Sequence, residues 1–380
     1  MAKVVKRAYR YRFYPTAQQA ELLNRTFGCV RYVYNRALAE RSRAWAQEQR
    51  RVTFAGTCRM LTTWKADPET AWLHEVSNVA LQQGLQHLQQ AFVGFWGKRA
   101  RYPRFKSRKR SKASATFTTS GFRYRDGKLT LAKMSGPLDI RWSRSLPEGA
   151  QPSTVTVSRD SAGRWHVSVL CQDSVPDGPV TATVVGIDAG ITSLLTLSTG
   201  EKITNPGYEK RDRERLARAQ RRLSGKQKGS ANREKARLRV ARVHARITDR
   251  RRDYLHKLST RIIRENQTVI IEDLNVRNMV RNHCLARAIS DASWSQLRSQ
   301  LEYKAGWYGR TVIAIDRFCP SSKTCSACGA ITEKLPLGIR EWACPTCGTA
   351  HDRDVNAAKV IRAAGLAVQA CGDGVRPPRA

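Results

Sequence analysis

The chain has 380 residues, of which 41% are hydrophobic, and it carries 68 Lys and Arg against 31 Asp and Glu. This composition is too apolar for a wholly disordered protein, and the length predicts roughly two to four folded domains. A formal net charge of +37 indicates a polyanionic partner, with nucleic acid favoured over an anionic membrane surface.

The sequence carries no sign of a membrane segment or a secretory leader. No stretch approaches the roughly 20 apolar residues that span a bilayer, and the N-terminus lacks the apolar region of a signal peptide. We therefore expect a cytoplasmic protein without membrane contact. In that compartment the ten cysteines are not expected to form disulfides.

The N-terminal half begins with a strand pattern and continues with helices. Residues 3–13 alternate aromatic and basic side chains, as in a strand. Thr16 and Gln19 match the capping box of a helix start, and helical patterns continue almost to a basic run at 98–112. Strand patterns, including a hairpin, return at 114–175, and the first strand is expected to join their sheet.

Two sets of polar residues in this half are candidates for nucleic-acid contacts. One lies on the polar face of a predicted helix, where amides suit adenine edges, although an ordinary solvent-facing surface is the simpler interpretation. The other lies in the basic run, where interleaved aromatics favour phosphate contact over a solvated linker. The candidates are Asn78, Gln82, Gln83, Arg104, Lys106 and Arg108.

The order of elements changes after a turn-rich boundary at 176–179. Residues 182–200 indicate two strands, and 209–264 indicate a pair of helices so rich in Arg and Lys that contact with a nucleic-acid backbone is favoured. Buried-strand patterns follow at 268–274 and 311–318. With a helix between those strands and another at the C-terminus, this is the order expected of an RNase H-like sheet.

Four cysteines have the spacing of a zinc ribbon. Cys325 and Cys328 form one C-x2-C pair, and fifteen residues separate it from the second pair, Cys344 and Cys347. Four thiolates complete a tetrahedral site without an open position, so one structural Zn²⁺ is expected. A redox C-x2-C pair is the alternative, but it would not need to be doubled.

Three carboxylates stand at the ends of predicted elements. Asp188 and Glu272 close apolar strands, and Asp354 opens the last helix. Converging carboxylates can hold two Mg²⁺ ions, which activate water and stabilise the leaving oxygen in phosphodiester hydrolysis. Each residue taken singly is more simply a cap or turn residue, and spacing alone does not join positions more than eighty apart.

Several segments together resemble one known family. GIDAGITSLLTLSTG, IIEDLNVRNM, FCPSSKTCSACG and CGTAHDRDVNAAKVI are similar to successive motifs of the TnpB (OrfB-type) proteins of insertion sequences. The N-terminal YRFYPTAQQAELLNRTFGCVRYVYNRAL and the tail ACGDGVRP resemble the same family. TnpB proteins are similar to compact ancestors of type V CRISPR effectors, and the resemblance covers nearly the whole chain.

The resemblance implies an RNA-guided DNA endonuclease with one RuvC-like site. Such a protein binds a transposon-derived guide RNA, recognises a short motif beside its double-stranded DNA target, and hydrolyses the DNA. The motifs carry the catalytic Mg²⁺-ligand roles to Asp188, Glu272 and Asp354, with Mn²⁺ as a substitute ion. Asp354 is chosen over Asp352 because it directly precedes Val-Asn-Ala-Ala. For His351 a structural or phosphate-contact role is favoured over general acid work.

The resemblance and the element order together predict a multidomain α+β protein in a prokaryotic, nucleoid-associated setting, as a monomer with one RNA. Its nuclease domain would be RNase H-like (RuvC) α/β with an inserted zinc ribbon, and a β-barrel wedge domain would carry an all-helical insertion. The expected bounds are 1–15 and 113–178 for the wedge, 16–112 for the helical recognition domain, 179–320 and 349–371 for the nuclease, 321–348 for the ribbon and 372–380 for a tail.

Two other functions are compatible with these patterns. A DNA transposase or integrase could also use an RNase H-like carboxylate site, but it should join DNA ends without RNA. A non-catalytic DNA-binding regulator could be built from helices and a zinc ribbon, but it would not need the three carboxylates.

Overall fold

The computed structural model describes residues 2–336 and 338–370. The chain forms two compact units. The N-terminal unit is Val4–Ser174, and the C-terminal unit contains Ala2, Lys3 and the described residues from Val175 onward. Both units combine helices and sheets, so the protein is a multidomain α+β protein, as the sequence predicts.

Two further expectations concern the chain end and the membrane. The predicted tail at 372–380, and Cys371 before it, lie outside the described residues. Within the described ranges, none of the helices combines the length and apolar character needed to cross a membrane.

The helices of the N-terminal unit begin at the predicted capping box. Thr16 accepts a hydrogen bond from the Gln19 amide, and the Gln19 side chain accepts one from the Thr16 amide. Around Pro68 the structure has the end of one helix and a 3-10 segment with proline in its first turn. The bounds are α1 (Ala17–Glu48), α2 (Phe54–Ala66), the 3-10 segment (Pro68–Glu75) and α3 (Asn78–Trp96).

The first strand lies in the same sheet as strands that follow the helices. The hydrogen-bonded order of this five-stranded sheet is β2-β6-β7-β1-β5, and β3 and β4 form a separate hairpin. The bounds are β1 (Ala2–Phe13), β2 (Ala113–Thr118), β3 (Phe122–Arg125), β4 (Lys128–Leu131), β5 (Ile140–Arg141), β6 (Pro152–Arg159) and β7 (Trp165–Pro176).

The alternation in β1 decides which side chains enter the core of this unit. Tyr9, Tyr11 and Phe13 are buried, whereas the residues between them are exposed or half-buried, as the two-residue period of a strand requires. The same apolar cluster includes Leu23 and Phe27 of α1. The helices and the sheet of this unit therefore share one hydrophobic core.

The C-terminal unit contains a second five-stranded sheet with the order β10-β9-β8-β11-β12. Strands β8, β11 and β12 are parallel, and β9 is antiparallel to both β8 and β10. Within this sheet, the sequence patterns predicted every strand except the short β10. The bounds are β8 (Val184–Asp188), β9 (Ser193–Leu197), β10 (Lys202–Thr204), β11 (Thr268–Glu272) and β12 (Thr311–Ile315).

Helices cover both faces of this sheet. Ile271 packs with α5 and α8 in one apolar cluster, and Ile270 packs with α9 in another, so β11 is buried on both sides. The helix predicted between β11 and β12 is α8, and Ser293, which has φ +53°, separates it from the preceding short helix α7. The bounds are α4 (Tyr208–Ser224), α5 (Ala231–Glu265), α6 (Val276–Met279), α7 (Ala286–Ala292), α8 (Trp294–Tyr308) and α9 (Arg353–Ala370), with β13 (Glu341–Ala343) and β14 (Ala350–Asp352) before α9.

Two glycines allow α9 to lie unusually close to the sheet. A Cβ atom on Gly186 of β8 would lie 2.2 Å from the Ala358 carbonyl oxygen, and one on Gly365 of α9 would lie 2.4 Å from a side-chain carbon of Ile270. Real Cβ atoms do not approach other heavy atoms this closely. The contact between β8 and α9 therefore depends on the missing side chain at Gly186.

We expect Gly186→Ala to destabilise the C-terminal unit by about 3 kcal/mol, because the added methyl group forces α9 away from the sheet. The matched control is Gly306→Ala in α8, where an added Cβ meets no atom within 4 Å, and which should stabilise the unit by about 0.5–1 kcal/mol. Chemical denaturation of both variants measures the two changes. Equal stability of Gly186→Ala and the wild type would contradict the close packing of α9.

Candidate active site and metal centre

The register of two parallel strands brings two carboxylates to one edge of the sheet. Ile187 of β8 pairs with Ile271 of β11, and Asp188 and Glu272 are the next residues along each strand. Neighbouring strands lie about 4.8 Å apart. Both carboxylates therefore leave adjacent backbones at the same level, and both side chains are only partly exposed.

The third carboxylate comes from α9, which packs against β8. Asp354 lies in the first turn of this helix. Burial, together with the negative charges of Glu272 and Asp354, raises the pKa of Asp188 to about 7. A negative charge raises the pKa of another carboxylate only when the two groups are close. The structure therefore brings the three predicted carboxylates together.

Glu272 has a specific hydrogen-bond partner. The buried hydroxyl of Ser321 donates to Glu272 Oε1 over 3.1 Å. Burial raises the pKa of Glu272, and this hydrogen bond opposes the rise because it favours the ionised carboxylate. The residue that follows Glu272 is also held, since Asp273 pairs with Arg298 over 2.5 Å and with Arg317 over 2.6 Å.

The structure gives Asp352 and Asp354 different surroundings. Asp352 pairs with Lys202 over 2.6 Å and accepts a hydrogen bond from the Val355 amide, as a helix-capping residue does. The negative charge of Asp354 raises the pKa of Asp188, and the Arg340 guanidinium lies 3.3 Å from the Asp354 carboxylate. Asp354 is therefore the one of the two with the surroundings of a ligand in a shared carboxylate site.

The chemistry of these three side chains fits a divalent cation. Carboxylate oxygens are the ligands that Mg²⁺ prefers, and Asp188 bears the electrostatic cost of two neighbouring negative charges. A bound cation would offset that repulsion. The same three residues would hold Mn²⁺ for the same reason.

The four predicted zinc cysteines form a cluster. Their sulfur atoms all lie within 4.8 Å of one another, and the Cys325–Cys347 and Cys328–Cys344 sulfur pairs are each 3.7 Å apart. Tetrahedral Zn²⁺ with Zn–S bonds of about 2.3 Å requires sulfur separations of about 3.8 Å. The cluster therefore fits one tetrahedral Zn²⁺ with protein ligands at all four positions.

Backbone turns shape each half of the cysteine cluster. Gly329 and Gly348 have φ values of +78° and +73°, a region that glycine adopts without strain. Their amides donate to the carbonyl oxygens of Cys325 and Cys344. The glycine after each C-x2-C pair thus closes the turn that aims two sulfur atoms at one point.

Two other side chains connect this cluster to its surroundings. Asn356 of α9 accepts a hydrogen bond from the Ser326 amide and donates one to the Thr324 carbonyl, so it holds the backbone on both sides of Cys325. His351 Nε2 lies 3.0 Å from the Cys325 sulfur, and its ring packs against Trp342. These contacts favour the structural role considered for His351.

Family models match three parts of the chain. A model described as a probable transposase of the OrfB, IS605 type matches residues 166–283, and a Cas12f1-like TNB domain matches 294–361. A helix-turn-helix domain matches 1–50, where this structure has β1 followed by the single long helix α1.

Two relatives match over nearly their whole length. A Streptomyces pristinaespiralis protein named "Putative RNA-guided DNA endonuclease" is 66% identical over 100% of this chain and 94% of its own. "Putative RNA-guided DNA endonuclease InsQ" of Escherichia coli K12 is 33% identical over 98% of this chain and 95% of its own. The chain belongs to the OrfB (TnpB) family. The TnpB resemblance predicted from the sequence motifs is confirmed.

A solved structure of another protein has the same fold as this TnpB family member. The Cas12f1 chain of a cryo-EM structure of the Cas12f1–sgRNA–target DNA complex aligns with a TM-score of 0.58 and 14% identity, over 94% of this chain and 99% of that chain. At this identity the likeness establishes a shared fold.

The nucleic-acid candidates of the N-terminal unit have mixed surroundings. The side-chain Oδ1 of Asn78 accepts a hydrogen bond from Lys65 Nζ over 3.4 Å. Gln82 is exposed, and Gln83 is half-buried. Lys106 lies half-buried over the Tyr34 ring, with its Nζ 3.9 Å from the ring centre. Burial lowers the pKa of Lys106. The remaining two candidates, Arg104 and Arg108, are exposed.

Sequence reasoning missed Ser321, Asn356 and Arg340, each of which contacts the site. The first two lie within the motifs FCPSSKTCSACG and HDRDVNAAKVI, which were used only to locate cysteines and carboxylates. The sequence could have indicated Ser321 and Asn356, because each is a polar residue close to a cysteine or carboxylate in these motifs. No local pattern marks Arg340, because only the folded cysteine segment brings it to Asp354.

We expect purified protein to contain one Zn²⁺ per chain, and Cys328→Ser to lose most of it, because a hydroxyl replaces one of four thiolate ligands. Cys319→Ser is the matched control, since Cys319 lies in the same segment but outside the cluster. Elemental analysis measures the metal content. Full zinc retention in Cys328→Ser would refute the four-cysteine site.

We expect Asp188→Asn to stabilise the protein in Mg²⁺-free buffer, and more at pH 8 than at pH 5. The folded-state pKa of Asp188 is about 7 against an ordinary 3.8, so the wild type loses stability as the pH rises from about 4 to about 7. The advantage of asparagine should grow by about 1–3 kcal/mol between the two pH values.

The control for this comparison is Asp352→Asn, which removes a carboxylate paired with Lys202 and should not stabilise the protein. Denaturation curves of the three proteins at both pH values measure the effect. An advantage of Asp188→Asn that does not change with pH would mean that Asp188 is ionised throughout.

Proposed function

We propose that this protein is an RNA-guided DNA endonuclease that hydrolyses DNA phosphodiester bonds at Asp188, Glu272 and Asp354. The observation that carries the proposal is the convergence of these carboxylates at one sheet edge, where the pKa of Asp188 is raised to about 7. The chain belongs to a family in which relatives are named as RNA-guided DNA endonucleases. This membership supports the use of a guide RNA and the assignment of DNA as the substrate.

The nuclease domain in this proposal is RNase H-like, of the RuvC type. The sheet order β10-β9-β8-β11-β12, with three antiparallel strands followed by parallel ones, supports this assignment. We propose the expected domain bounds on the same basis, with the wedge as a β-barrel, the helical block as its insertion, and the cysteine segment as a zinc ribbon within the nuclease domain.

Each side chain in the site has a distinct task. Asp188 and Glu272 present oxygens from adjacent strand ends, and Asp354 closes the set from α9. Mg²⁺, bound as two ions, would supply the Lewis acid that activates water and stabilises the leaving 3′-oxygen. Ser321 restrains Glu272, and the pairing of Asp273 with two arginines fixes the backbone that follows it.

The basic surfaces would hold the guide RNA and the DNA. The net charge of +37 provides the non-specific attraction. In the C-terminal unit, α4 and α5 form a hairpin in which Asp212 is buried and pairs with Arg250. Most of the other charged residues on these helices are exposed or half-buried and basic, as a backbone-binding surface requires.

Expression of the protein together with the DNA downstream of its native gene tests whether it binds a guide RNA. We expect one discrete RNA to co-purify, ending in a variable segment that determines which DNA is bound. Heterogeneous cellular RNA would remove the support for a guided enzyme. Joining of DNA ends without RNA would instead favour the transposase that the description of one matching family model names.

We expect the RNA complex to cleave matching DNA only with Mg²⁺ or Mn²⁺, and Asp188→Ala to lower the rate by roughly 1,000-fold or more. Asp253→Ala is the matched control, because this exposed carboxylate pairs with Lys257 on the surface of α5. Cleavage assays with a labelled target measure both rates. Undiminished cleavage by Asp188→Ala would exclude this carboxylate from the site.

A further inference from the structure

The cysteine segment reaches the carboxylate site through one buried hydroxyl. Ser321 has 3% of its surface exposed and lies four residues before Cys325. Its backbone is held in a tight turn. The Ser321 amide donates a hydrogen bond to the Cys319 carbonyl oxygen, and the Thr324 amide donates one to the Pro320 carbonyl oxygen. The hydroxyl that this turn presents donates to Glu272 Oε1, so a rigid part of the chain fixes one oxygen of that carboxylate.

A second connection joins the same turn to α9. Asn356 is 1% exposed and bonds to the backbone at Thr324 and Ser326, on either side of Cys325. It lies two residues after Asp354 on the same helix. The backbone around Cys325 is therefore hydrogen-bonded to the helix that carries Asp354, while the preceding turn is hydrogen-bonded to Glu272.

We propose that Ser321 is a positioning residue for Glu272, and that Ser321 and Asn356 couple the cysteine centre to the carboxylate site. Metal bound by the four cysteines orders the turn around Cys325, and the ordered turn holds Glu272 and α9 in the arrangement that binds Mg²⁺. The inference rests on the proposed nuclease function, and it gives the cysteine centre a role in Mg²⁺ affinity.

The physical basis is the orientation of a metal ligand by an outer hydrogen bond. A carboxylate that accepts one fixed hydrogen bond loses less freedom when it binds a cation, and such outer partners typically contribute 10–100-fold to metal affinity. The hydroxyl occupies Oε1 from one side and leaves the remaining lone pairs of the carboxylate for a cation. Removing it leaves a half-buried carboxylate that can rotate away.

The first test is Ser321→Ala in the RNA-bound protein. We expect the Mg²⁺ concentration for half-maximal cleavage to rise about tenfold, while the rate at saturating Mg²⁺ stays within about threefold of the wild type. Guide-RNA binding and the melting temperature report on folding. Ser322→Ala, at the neighbouring and less buried serine, is the matched control and should leave the Mg²⁺ dependence unchanged.

A binding measurement removes the dependence on cleavage. Electron paramagnetic resonance of free Mn²⁺ gives the ions bound by each RNA complex, and the Asp188→Ala complex supplies the background bound elsewhere. We expect Ser321→Ala to weaken the remaining Mn²⁺ binding by about tenfold. Unchanged Mn²⁺ and Mg²⁺ midpoints in Ser321→Ala would overturn the positioning role.

The coupling to the cysteine centre is tested by a double-mutant cycle with Cys347→Ser. In the wild-type background, this substitution should raise the Mn²⁺ midpoint by about tenfold; in the Ser321→Ala background, it should raise it by less than about threefold. Independent, multiplicative effects would overturn the coupling. Wild-type Mn²⁺ binding without any RNA-dependent cleavage would refute the nuclease function and leave the positioning role standing.

Discussion

The parallel register of β8 and β11 is the constraint on which the candidate site depends. Pairing Ile187 with Ile271 places Asp188 and Glu272 side by side, and a shift of one residue would turn one of them to the opposite face of the sheet. The absence of a side chain at Gly186 lets α9 approach β8 closely enough to bring Asp354 to the same edge. Backbone packing therefore sets the positions of all three carboxylates.

This arrangement is electrostatically unfavourable without a cation. Burial and two neighbouring carboxylates raise the pKa of Asp188 to about 7, and such clusters of like charge are characteristic of functional sites. The positive charges of Arg353 and Arg340 oppose this rise without cancelling it, while Arg298 and Arg317 pair with Asp273. A divalent cation bound by the three carboxylates would relieve this repulsion.

The cysteine centre is joined to this site in the tertiary structure. Its Cys325 turn is hydrogen-bonded to α9 through Asn356, and the segment leading into it is hydrogen-bonded to Glu272 through Ser321. Zinc bound by these four cysteines would stabilise its own loop and would also brace two elements that carry the candidate carboxylates. This connection gives a physical reason for the placement of the cysteine segment between β12 and α9.

The sequence by itself determined the local features of this protein. Strand and helix periodicities predicted β1, β8, β11 and α9, the capping box at Thr16 is present, and the cysteine spacing predicted the metal cluster, because each of these is set by neighbours along the chain. Motif resemblance singled out three carboxylates that spacing could not join. Only the tertiary structure decided how they meet, how Asp352 and Asp354 differ, and that Ser321, Asn356 and Arg340 belong to the site, because those contacts depend on strand register and on packing between distant segments.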